Sequence, residues 1–220
     1  IGTVTPTPQF SNEGVIMGRD TQTESVWNRM GFPSEGARYV WAKLAQLQSE
    51  LRVPVFVNIG KNRTTENSQA HADYGTLLRQ FANVADVFVV NISSPNTEGL
   101  RDLFRPEYLH GFLAKIQAER ERCTQVPLLL KLSPDLDNAS LQLTVRTALD
   151  CGFAGFVLTN TTTARANGSK FPTAGGVSGR PLAARSKECL SLSREIIEKH
   201  GRTDCLLVSV GGDRKSTRLN

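Results

Sequence analysis

Five short apolar runs recur along this chain, and their spacing limits the folds open to it more than any other feature. They lie at residues 53–59 (VPVFVNI), 86–92 (DVFVVNI), 126–132 (VPLLLKL), 154–159 (AGFVLT) and 205–210 (CLLVSV). Each is nearly continuous rather than alternating, as parallel strands covered on both faces are. Longer helical patterns fall between them, near 66–83, 105–122, 138–151 and 185–200. Asn138 is expected to cap the third and Gly152 to end it; Gly201 ends the fourth. Strand–helix–strand repetition means right-handed βαβ units, in an open doubly wound sheet or a (β/α)8 barrel. No G-x-G-x-x-G string follows the first strand. Instead, polar residues cluster at strand C-termini: N58-I-G-K-N, N91-I-S-S-P-N, K131-L-S-P-D, T159-N-T-T and S209-V-G-G. A ring of strand ends facing one site is how a barrel builds its active site. The fold class is therefore read as an α/β TIM barrel, with residues 1–5 as one more strand end. Two stretches break the rhythm, at 6–32 and 161–181, and loops of that length act as lids or binding loops.

Composition narrows the function classes. Hydrophobic residues make up 39% of the 220 residues and charged residues 21%, which excludes wholesale disorder. No apolar run approaches the ~20 residues of a membrane span. The formal charge is +5, but residues 213–220 (DRKSTRLN) hold three basic side chains and one acidic, so they supply +2 of it. The rest is dispersed, with no aromatic–basic interleaving, so no nucleic-acid partner is expected. The four cysteines form no C-x-x-C pair, which fits a reducing compartment. No metal-ligand spacing is present, and Asp135 and Asp137 read as turn and cap residues. His71, His110 and His200 fall in helical patterns away from the strand ends.

Asn58, Asn91 and Lys131 interrupt otherwise apolar strands. A buried ammonium without a partner is costly by several kcal/mol, so a shared anionic or electron-rich ligand is the economical reading. Ser94 lies on a loop after a strand, with no G-x-S-x-G elbow, and reads locally as a turn residue. The string N28-R-M-G-F32 reads equally as a turn around Gly31 or as a loop of amide and backbone donors. The glycines near 175–179 and at 211–212 would let backbone N–H groups approach a phosphate after the late barrel strands.

Together the strings IGTVTPTPQ, NRMGF, NIGKN, NISSPNTEGLR, LKLSPD, LTNTT, GGVSGRPL and SVGG resemble the dihydroorotate dehydrogenases of class 2, the quinone-linked type. The resemblance covers residues 1–212. It implies a barrel that binds FMN, oxidises dihydroorotate to orotate in pyrimidine biosynthesis, and passes electrons to a membrane quinone. It implies Ser94 as the catalytic base, where class 1 enzymes carry cysteine. Asn28, Arg29, Met30, Gly31, Phe32, Asn91, Asn96, Asn160 and Thr161 would bind the substrate. Thr3, Asn58, Asn91, Lys131, Thr159, Gly179 and Gly212 would contact FMN, with Lys131 balancing negative charge on the reduced cofactor. The segments 94–101 and 161–181 would cover the site. The implied location is peripheral, on the cytoplasmic face of a bacterial membrane, or alternatively the mitochondrial inner membrane.

Against the family pattern, the chain is expected to be truncated at both ends. Ile1 is not a start methionine, strands two to seven of eight are counted, and the membrane-docking helical pair is absent. Residues 1–212 are read as a partial catalytic barrel and 213–220 as a tail foreign to the family. Little or no activity is expected of the 220 residues alone. Another FMN barrel oxidoreductase and a non-catalytic truncation product are the alternatives.

Overall fold

The computed structural model describes residues 1–212; residues 213–220, read above as a foreign tail, lie outside the described residues. Its core is a parallel sheet in the order β3 (Phe56–Ile59), β4 (Val87–Asn91), β5 (Leu128–Leu132), β6 (Gly155–Leu158) and β8 (Leu206–Ser209). Each strand starts later than its apolar run, while β3 and β5 reach the run's last residue. The runs begin in loop backbone, because Pro54 and Pro127 lack the N–H that a ladder uses. Residues 1–5 form no regular strand. Val4 makes a single parallel bridge to Ile59, with its N–H donating to the Asn58 carbonyl at 2.8 Å.

Pleat parity sorts the side chains. Phe88, Val90, Leu128, Leu130, Leu132, Phe156 and Leu158 face the helices and join the larger core. Val87, Val89, Leu129 and Val157 form a second, inner cluster with Phe56, Ala154 and Val208 packed against it. The same two-residue period puts Asn58, Asn91 and Lys131 on that inner face. The inner face is thus apolar below and polar at the strand ends, as in a (β/α) barrel.

The outer layer follows helical spacing. In α2 (Ala70–Phe81) the buried stripe includes Tyr74, Leu77, Leu78 and Phe81; in α3 (Pro106–Cys123) it is Leu109, Phe112, Leu113 and Ile116. Tyr74 meets Phe112 edge-to-face, with ring centroids 5.3 Å apart. Helix α4 (Asn138–Asp150) is capped by Asp137 rather than Asn138. The Asp137 Oδ1 accepts from the Ser140 N–H at 2.7 Å, and Asn138 is the first helical residue. Gly152 and Gly201 follow their helices at positive φ, as expected. Helix α5 (Arg180–Lys199) begins earlier than the sequence pattern, because Pro181 suits a first turn. Helix α1 (Ala37–Leu47) has only Ala37 and Leu44 buried, too weak a stripe for periodicity to reveal.

The two irregular stretches contain strands. Residues 6–32 form a hairpin of β1 (Met17–Asp20) and β2 (Ser25–Asn28), and β7 (Gly176–Gly179) from the second stretch pairs antiparallel with β2. Trp27 lies opposite Val177 and Asn28 opposite Gly176. This three-stranded sheet is closed on one side by Trp27, which stacks on Phe171 at 6.2 Å and donates through Nε1 to the Ala174 carbonyl.

Asp137→Ala is expected to destabilise the chain by about 1 kcal/mol, the typical value of an N-cap, and Asp137→Asn to retain most of it. Urea unfolding midpoints at constant slope check this.

Candidate active site

Asn91 ends β4 on the inner face and is almost fully buried. Its Nδ2 donates to Thr3 Oγ1 at 3.0 Å, and Thr3 Oγ1 in turn donates to Asn58 Oδ1 at 2.8 Å. Its Oδ1 accepts from the Ser93 N–H at 3.2 Å, Ser93 Oγ at 2.9 Å and Asn160 Nδ2 at 3.4 Å. Its carbonyl accepts from Tyr74 OH at 2.9 Å. Asn160 Nδ2 also donates to Ser93 Oγ, and Asn160 Oδ1 accepts from the Thr161 N–H at 2.8 Å. One network therefore gathers Thr3, Asn58, Asn91, Asn160 and Thr161.

Ser94 follows directly and is buried. Its Oγ accepts from the Asn96 N–H at 3.2 Å. Asn96 Nδ2 donates to Asn28 Oδ1 at 2.9 Å, which brings the β2 hairpin to the Ser94 loop. Asn12 Nδ2 donates to both the Arg29 and Asn96 carbonyls, at 2.8 and 3.2 Å. Gly31 and Phe32 both have positive φ, 73° and 58°. Gln9 Nε2 holds that turn by donating to both carbonyls, and a Cβ at Gly31 would sit 2.7 Å from Asn12 Oδ1. The NRMGF string is thus a strained turn whose carbonyls from Arg29 to Phe32 accept from Asn12 and Gln9. Arg29 and Met30 are held through their backbone atoms, bonded to Asn12, Ile16 and Asn28.

Lys131 is paired with Asn91 in register. It has no hydrogen-bond or ion-pair partner among the described residues, and burial alone pulls its pKa below the ordinary lysine value. Asn96 Oδ1, Thr97 Oγ1 and Thr159 Oγ1 are also buried without partners. Thr159 lies beside Gly211, where a Cβ would be 3.7 Å from Thr159 Oγ1. Gly212 abuts the first turn of α5, where a Cβ would be 2.5 Å from Ala183 Cα. Gly179 is the N-cap of that helix. Thr159, through Gly211, and Gly212 therefore lie against the start of α5, whose N-cap is Gly179 and whose first N–H, that of Arg180, donates to the Glu24 carbonyl at 3.0 Å. Among the described residues no group of three His, Cys, Asp or Glu could hold a metal, and the four cysteines are free. No helix among them is long and apolar enough to cross a membrane.

Asp135 is more than a turn residue. Its carboxylate pairs with Arg101 at 2.7 Å and accepts from Thr162 Oγ1, the Thr163 N–H and Thr163 Oγ1. Sequence reasoning also missed Asn12, Gln9, Tyr74 and Arg101. A tyrosine in the apolar stripe of α2 was the one available signal; Gln9 and Asn12 sit in irregular backbone and Arg101 in a short 3-10 helix, Leu100–Phe104, none with a period to read.

A parallel βα arrangement with an amide-rich, glycine-lined site at its strand C-termini defines the class: a (β/α) barrel whose polar groups gather at one end of the sheet. The comparisons make this specific. The dihydroorotate dehydrogenase family model matches residues 1–213, and the chain belongs to that family. It is 44% identical over 189 residues to a dihydroorotate dehydrogenase (quinone) of Anaeromyxobacter sp. (strain Fw109-5), covering 84% of this chain and 52% of the relative. It is 40% identical over 220 residues to the Deinococcus radiodurans protein of the same name, covering 96% and 58%. A crystal structure of Eimeria tenella DHODH in complex with ferulenol superposes with a TM-score of 0.88 at 29% identity, covering 99% of this chain and 64% of that one. The fold is accordingly that of an incomplete (β/α)8 barrel, and the chain spans little more than half the length of the curated relatives it matches.

Lysine with a depressed folded pKa binds fewer protons folded than unfolded. Stability therefore rises with pH between the folded value and the ordinary value of 10.5. Lys131→Met is expected to raise the stability of the ligand-free chain at neutral pH, with the gain shrinking as pH approaches 10.5. Lys61 and the cysteines titrate alike in both proteins, so the difference in urea midpoints between pH 7 and pH 10 isolates Lys131.

Proposed function

We propose that the chain provides the FMN- and substrate-binding face of an enzyme that oxidises dihydroorotate to orotate in pyrimidine biosynthesis. One observation carries the reading: an unpaired lysine ammonium stands next to a buried amide hub at the strand ends. That pairing suits a planar, electron-rich ligand and a small carboxylic acid together. The orphaned Thr159 hydroxyl and the glycine cradle at the start of α5 fit FMN and its phosphate. Residues 1–212 would form this partial barrel domain. Bound FMN supplies the acceptor for a hydride leaving C6 of the substrate. Ser94 takes the C5 proton, and its burial keeps bulk water from that proton. Asn28, Asn91, Asn96 and Asn160 offer both donors and acceptors, matching the ring edge and carboxylate of dihydroorotate. Thr161 and the 28–32 turn complete the substrate contacts. Lys131 supplies fixed positive charge that favours electron uptake. A quinone as final acceptor agrees with the names of the relatives, and in this reading it is reached from the cytoplasmic face of a membrane.

The test is a flavin absorbance spectrum of the chain mixed with FMN, followed by anaerobic dihydroorotate. Retained flavin that bleaches supports the reading and overturns the expectation of little activity from the 220 residues alone; flavin that is retained and does not bleach at saturating substrate overturns the reading. Ser94→Ala is expected to keep the flavin and slow bleaching by about 10²–10⁴-fold.

A further inference from the structure

We propose that Arg101 and Asp135 are positioning residues that lock the Ser94 loop to the loop after β6, setting Ser94 and Asn160 in one geometry. The proposal rests on the functional reading above. Arg101 sends its three kinds of donor in three directions. Nε donates to the Ser93 carbonyl at 2.9 Å, Nη2 to the Thr161 carbonyl at 3.1 Å, and Nη1 to Asp135 Oδ2 at 2.7 Å. The first two complete a ring of hydrogen bonds. Ser93 Oγ accepts from Asn160 Nδ2, Asn160 Oδ1 accepts from the Thr161 N–H, and both outer carbonyls end on one guanidinium. Any shift of Asn160 relative to Ser93, and hence to Ser94, must break a member of that ring.

Asp135 anchors the ring to a third loop. Its Oδ1 accepts from Thr162 Oγ1, and its Oδ2 from Thr163 N–H at 2.8 Å and Thr163 Oγ1 at 2.9 Å. Burial pushes its carboxyl pKa up, but these hydrogen bonds and the Arg101 contact outweigh burial and hold it below the usual range. The anion is therefore secured at any pH where the protein works. An exposed ion pair contributes little. This pair differs: each side chain is only about a quarter exposed, at 24% and 22%, and nearly every polar atom is used. A single ammonium cannot replace the planar fork, because its donors radiate from one nitrogen.

The readout is the first-order rate of flavin bleaching at saturating dihydroorotate, beside orotate affinity, flavin content and amide hydrogen exchange. Arg101→Lys and Asp135→Asn are each expected to slow bleaching by about 10–100-fold, the scale of a slight misplacement. Orotate affinity should change by no more than about threefold, as for partial loss of one hydrogen bond. The double variant should be no slower than the worse single one. Exchange should quicken at Thr163 and across residues 93–97. Rates within twofold of the unsubstituted chain, or additive losses, overturn the proposal. If the unsubstituted chain does not bleach, the functional reading falls and exchange alone decides: faster exchange in both loops upholds the lock, and unchanged exchange overturns it. Should Arg101→Lys fail to fold, Thr163→Val removes one bond to Asp135, leaves the ion pair, and is read the same way.

Discussion

The side-chain amide of Asn91 uses its donor toward Thr3 and its acceptor toward Ser93 and Asn160; Asn91 and Ser93 are buried, Thr3 and Asn160 half-buried. Removing it would strand several buried groups at once, each worth about 1–3 kcal/mol. It is held from behind as well, since Tyr74 reaches through from α2 to the Asn91 carbonyl. The outer helix layer and the inner polar face are joined at this residue. The apolar parity of β4 fixes where Asn91 points, and Asn91 fixes where the next loop begins.

Against this neutral network stands one uncompensated charge. The Thr3–Asn58–Asn91–Asn160 chain is closed by hydrogen bonds without a ligand, whereas Lys131 and the buried Asn96 Oδ1 are left without partners. The balance is therefore uneven: amides can be closed and stable before anything binds, while the lysine keeps a cost that only an anionic or electron-rich partner removes. Two conditions on one inner face, rigid geometry and unspent charge, describe a site prepared in advance of its ligand.

How much of this was legible depends on range. Continuous apolar runs and polar strand ends are local, so the parallel sheet, its helices and the Asn58–Asn91–Lys131 face could be read from period and parity. Gly179 and Gly212 stand out in the sequence as glycines, and each has a steric reason at the start of α5, where a Cβ would meet Glu24 or Ala183. The β1–β2–β7 sheet was not legible: its partners are about 150 residues apart, and MGRD and GVSG carry no strong strand pattern. Helix α1 was hidden by its thin buried stripe. Asp135 looked like a turn residue because its partners, Arg101, Thr162 and Thr163, come from two other loops.

That long-range sheet changes the meaning of the two irregular stretches. They are one body, not two loops. Strand β2 carries Asn28 to the Ser94 loop, and β7 runs straight into the N-terminus of α5 through Gly179. Gly176 can approach only because it lacks a Cβ, which would sit 1.9 Å from Thr161 Oγ1. Arg165 braces the remainder, donating to the carbonyls of Thr163, Pro172, Thr173 and Gly175. A displacement of this cover would therefore move Asn28, the Thr161 contact and Gly179 together. The placement of the cover and the alignment of those three groups are coupled, because one antiparallel sheet carries them.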